Sequence, residues 1–156
     1  MAYENVDVSR AKNAINNCLN SLNHPSSDNF LSTLPGNTNW VADSKNTFVS
    51  AVDKLVNVRY KELKDYLNQC LTTLDNIEKY QNLQSQNATY NSQLSSKNNE
   101  LNIHRNNYRN MNDKTTSEAK NLKNKIDRLE TEIRDLNRKI NSNKDDMSNI
   151  NRSISA

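Results

Sequence analysis

Residues 39–48 read N-W-V-A-D-S-K-N-T-F, and their reading decides the fold. They hold the only tryptophan, Trp40, and follow a segment that contains the only glycine, Gly36, and both prolines, Pro25 and Pro35. From Phe48 to the last residue the chain has neither glycine nor proline, the two strongest helix breakers. Trp40 is therefore read as an elbow at which a short first helix hands over to a long second one. Asn39 has N-cap chemistry, and Asp43 in the first turn suits the positive end of the helix dipole.

Upstream of the elbow, Val8, Ala11, Ile15, Cys18 and Leu22 recur at spacings of three and four, which places them on one helical face. This predicts a helix over residues 3–22, with Asp7 as cap if it starts late. Residues 23–39 form the loop. Pro25 pushes His24 out of the helical region, and Pro35-Gly36 is turn chemistry.

Downstream, Val56, Tyr60, Leu63, Leu67, Cys70, Leu74 and Ile77 alternate by four and three, predicting a helix over 40–94. Ser95-Ser96-Lys97-Asn98-Asn99 is a polar run of poor helix formers, and a turn is expected at 95–99. The rival is 115–118, where Thr115 and Glu118 have capping-box spacing. The last helix, over 100–154, carries the clearest periodicity of the chain. Leu122, Ile126, Leu129, Ile133, Leu136 and Ile140 form a heptad seam, Asn143 interrupts it, and Met147, Ile150 and Ile154 resume it. A turn centred on Lys97 sets Ile126 near Asn68, Ile133 near Lys61 and Ile140 near Lys54. The seam then meets the stripe that includes Leu63, Leu67 and Leu74. The expected fold is one all-α domain: an elongated antiparallel hairpin, with the first helix completing a three-helix bundle at one end.

Composition agrees with thin helices. Hydrophobic residues make up 33% of the 156, too few for a broad globular core, and the net charge of +3 is too small for a charge-expanded disordered chain. No run of 18 apolar residues exists, so no membrane span is expected, and the N-terminus lacks the pattern of a signal peptide. Cys18 and Cys70 form no C-x-x-C pair and read as small apolar core residues. The two histidines, His24 and His104, lie at no ligand spacing, and a single glycine allows no phosphate-binding loop. No catalytic residue, cofactor or metal is expected. The basic residues between Lys120 and Lys139 are interleaved with Asp127, Glu130, Glu132 and Asp135, which reads as a solvated coiled-coil face rather than a nucleic-acid site.

Trp40, Ala42, Ser44 and Phe48, at the start of a helix after a short helix and a loop, resemble the WXG family of small helical-hairpin proteins exported by type VII secretion systems. Trp40 matches the family's Trp, Ala42 stands where Gly is usual, Ser44 fills the next small position and Phe48 matches the aromatic. The resemblance covers about residues 3–77. It implies export by a route without a signal peptide, with the chain cytoplasmic beforehand. The family's Tyr-x-x-x-Asp/Glu export element normally follows the second helix. Here the spacing occurs only at Tyr3 and Asp7, at the other end. The extra C-terminal heptads look like the longer helical accessory partners of LXG-type toxins. The resemblance thus implies a helical partner or targeting protein of a type VII substrate, bound to a toxin N-terminal domain or a small WXG-like protein. The alternative is an intracellular coiled-coil scaffold that pairs with itself.

Overall fold

Asp7 ends the irregular chain that precedes the first helix: its Oδ1 accepts the Arg10 amide at 3.0 Å. In a computed structural model, which describes residues 6–22 and 42–155, α1 accordingly spans Val8–Leu22, α2 Ala42–Arg109 and α3 Ser117–Ser155. The first helix begins at the later of the two expected positions. The loop over 23–39 and Trp40 lie outside the described residues. Nearly all the described residues are helical and none is in a strand, so the fold is all-α. The chain, expected as one domain, divides into two compact units, one holding Asn5–Ile77 and the other Glu78–Ala156 together with Met1–Glu4.

The turn does not lie at 95–99. α2 runs through those residues as unbroken helix, and the chain reverses over 110–116. Two physical reasons decide against the earlier position. Ser and Asn inside a helix each cost only about 0.5 kcal/mol relative to Ala, far less than abandoning a turn of backbone hydrogen bonds. The reversal also needs local chemistry, and 110–116 supplies it. Asp113 Oδ1 accepts from both the Thr115 amide and hydroxyl, at 2.8 and 2.7 Å. Thr116 Oγ1 accepts the Ala119 amide at 3.1 Å. The cap is thus Thr116, one residue after the expected Thr115. Glu118 in the first turn of α3 and Arg152 in the last suit the helix dipole.

In the C-terminal unit the second half of α2 packs antiparallel on α3. Leu101, Ile126 and Leu129 form the buried core cluster, with Tyr108 and Ile133 packed against it. Ala119, Leu136, Ile140 and Ile150 extend the buried line of α3. Polar pairs descend in the same register. Arg105 meets Glu130 at 2.7 Å, Lys97 meets Glu132, and Lys139 lies over the Tyr90 ring at 5.6 Å. Asn143, the break in the heptads, donates to Asn87 Oδ1 at 3.1 Å. The seam of α3 therefore faces Tyr90, Lys97 and Leu101 rather than Lys54, Lys61 and Asn68. Apolar density predicted the wrong register because part of the expected stripe, at Leu63 and Leu67, already has a helix against it.

That helix is α1. In the N-terminal unit it runs antiparallel to the first half of α2. Lys12 Nζ lies 2.6 Å from Asp75 Oδ1, and Cys18 and Leu22 line one groove with Leu63 and Leu67. Among the described residues of this unit, Val8 and Ile77 are buried.

Candidate helix-binding face

The residues expected to form one helix interface divide between the two units. Ile126, Leu129, Leu136 and Ile140 are buried on α3, and Ile133 is half-buried beside them. Leu67 and Leu74 are half-buried on α2, and Leu63 remains 44% exposed. The two groups, expected on one interface, belong to different compact units. Each has its own partner, Leu101 and Tyr108 for the first and α1 for Leu63 and Leu67. Leu94, Leu101 and Tyr108 recur at sevens, and this continuation of the heptads was the signal for the true partner strip.

Apolar surface stays open in the N-terminal unit. Leu55 and Tyr66 are each 62% exposed and Val58 is 54% exposed. Leu55 and Tyr66 are eleven residues apart, three helical turns, so they lie on one line along α2. Phe48, seven residues before Leu55 and 42% exposed, continues it. Leu63 lies between this line and the α1 groove. The groove, about 430 Å³ and lined by Asn17, Cys18, Ser21, Leu22, Leu63 and Leu67, is mostly apolar. Cys18, expected in a core, is an exposed free thiol at this groove, and Cys70 is a half-buried one. Among the described residues of the C-terminal unit, Ile103 is the large apolar residue left exposed, at 59%. Single exposed side chains of that kind are ordinary, whereas several on one side of a helix, here with the Arg59–Glu62 ion pair between Leu55 and Tyr66, are not.

Of the WXG-like positions, Trp40 lies outside the described residues, Ala42 and Ser44 belong to the first turn of α2, and Phe48 follows on the same helix. Of the displaced export element, Tyr3 lies outside the described residues. Asp7 is engaged as the cap of α1, so its carboxylate already has a structural role.

The polar chemistry elsewhere is modest. His104 Nε2 lies 3.4 Å from Glu100 Oε1. Among the described residues no three His, Cys, Asp or Glu side chains are grouped to hold a metal ion. Nor is any helix there long and apolar enough to cross a membrane. No protein-family model, curated protein or solved structure matches the chain.

Proposed function

We propose that this chain acts by binding, as a helical partner or targeting protein for a substrate of a type VII secretion system. The observation that carries the binding part is the exposed apolar surface of α2 in the N-terminal unit, Leu55 and Tyr66 on one side of the helix with Val58 and Leu63 flanking them. Covering a large apolar side chain is worth about 1.5–3 kcal/mol, so a helix laid along these residues gains several times that. The secretion part rests on the resemblance at Trp40, Ala42, Ser44 and Phe48. The use of Asp7 as a helix cap supports a division of labour in which the partner supplies the Tyr-x-x-x-Asp/Glu element. The partner is then a toxin N-terminal domain or a small WXG-like protein.

The test is recovery of the tagged full chain from its own cells, followed by mass spectrometry of what accompanies it. The expected result is one helical protein carrying the export element. Its appearance outside the cell should depend on this chain. Leu55→Asp with Tyr66→Asp should abolish the complex and leave the circular dichroism unchanged, because both side chains are already exposed. Recovery of the chain only as a homodimer, with no change in any secreted protein when it is deleted, would instead establish the self-pairing scaffold.

A further inference from the structure

The charge of the C-terminal unit is gathered at one end. Residues 105–125 carry six cations, Arg105, Arg109, Lys114, Lys120, Lys123 and Lys125, against the two carboxylates Asp113 and Glu118. That is a net +4, more than the +3 of the whole chain. The rest of the hairpin's two arms is neutral: residues 78–104 carry two charges of each sign, and residues 126–155 carry six of each. Reversal of the chain over 110–116 brings the basic parts of α2 and α3 together at the hairpin tip.

Little of this charge is neutralised locally. Asp113 is committed to Thr115, and Glu118 sits at the positive end of α3. Arg105 pairs with Glu130, and Lys114 lies over the Tyr108 ring at 5.4 Å. Arg109, Lys120, Lys123 and Lys125 are exposed, and among the described residues none of them has an ion-pair partner. Beside them an open hollow of about 610 Å³ is lined by Arg105, Arg109, Lys114, Asn102, Asn106 and Tyr108. Guanidinium forks, an ammonium and the NH2 groups of carboxamides are all donors, the set that receives phosphate oxygens.

We propose that the hairpin tip docks end-on against an anionic phospholipid surface, with headgroup phosphates received on the side of Arg105, Arg109 and Lys114. The confinement of the charge favours a planar surface over a nucleic-acid duplex. A duplex gains affinity by neutralising phosphates along its length. The neutral flanks on both arms offer it nothing beyond the tip. A planar anionic leaflet meets the whole basic end at once. Each Lys or Arg near such a leaflet is worth about fivefold in partitioning, and the attraction weakens within a Debye length as salt rises. The attachment is electrostatic and needs no spanning helix. It uses none of the residues of the open face on the first half of α2.

The test is sedimentation of the full chain with phosphatidylcholine vesicles, with and without phosphatidylserine. Binding is expected only with phosphatidylserine and should fall as salt rises. The variant Arg109→Gln, Lys120→Gln, Lys123→Gln, Lys125→Gln should lose about 100-fold or more in partitioning. A control with as many cations removed elsewhere, Arg134→Gln, Arg138→Gln, Lys139→Gln, Lys144→Gln, should keep most of it. Circular dichroism of both variants verifies that they fold. The proposal is overturned by equal losses in the two variants or by no binding to phosphatidylserine vesicles. It is likewise overturned if duplex DNA, at equal phosphate concentration, strips the chain from the vesicles.

Discussion

Asp113 shows how much of the hairpin rests on one side chain. Its carboxylate accepts the Thr115 hydroxyl and then the Thr115 amide, and these bonds hold its pKa below the ordinary value. A carboxylate whose folded pKa is depressed adds stability that is complete above its unfolded pKa. That stability is lost as pH falls through the folded value. Asp113→Asn should therefore be less stable than the natural chain at neutral pH, and the gap should close in acid. Urea unfolding at a series of pH values measures it; a gap that stays constant down to acid pH would mean that the Asp113 charge does not hold the turn. This chemistry was legible in part. Thr-Thr-Ser-Glu announces a helix start, but two adjacent threonines do not reveal which one caps. Asp113 settles it by engaging Thr115, which leaves the Thr116 hydroxyl for Ala119.

At the scale of the element, α2 is 68 residues long and carries a different partner on each half. Its continuity through 95–99 has a direct test. Ser96 is exposed in mid-helix, so Ser96→Pro removes a backbone hydrogen bond and should cost about 3 kcal/mol or more. In a polar turn the same change would be nearly neutral, and a melting temperature unchanged by it would restore the earlier reversal. The 3/4 spacing identified each helix, while the structure decides between a start of α1 at residue 3 and one at the Asp7 cap. Helix interiors were legible because periodicity accumulates over many residues. The reversal was not, because a five-residue polar run and a capped seven-residue turn look alike until their hydrogen bonds are counted.

At the scale of the molecule, the two units spend their apolar residues differently. The C-terminal unit closes its heptads on one partner strip and keeps its charge at the tip. The N-terminal unit leaves Leu55, Val58 and Tyr66 exposed. The register of the C-terminal hairpin predicts that spin labels at Gln93 and Asn137, both exposed, lie on adjacent arms at nearly the same level. Reversal at Lys97 would set Asn137 beside position 57 and separate the labels by roughly 50 Å. Electron–electron resonance that finds the long distance would reject this register.

From sequence alone follow the helical class, the heptad seam of α3 and the lack of glycine or proline after Gly36; the start of α1 reads at residue 3, with Asp7 as cap only for a later start. All of these readings are written in spacing and local side-chain chemistry, which act within a few turns of chain. Tertiary structure alone decided which strip each seam meets. Leu63 and Ile126 read as equally good interface residues in sequence. Only the pairing of α1 with the first half of α2, at Lys12–Asp75 and around Leu67, makes them members of different cores. The physical reason is that apolar burial is non-directional: it rewards any strip of matching density. Geometry at the turn and prior occupation by another helix choose among the strips.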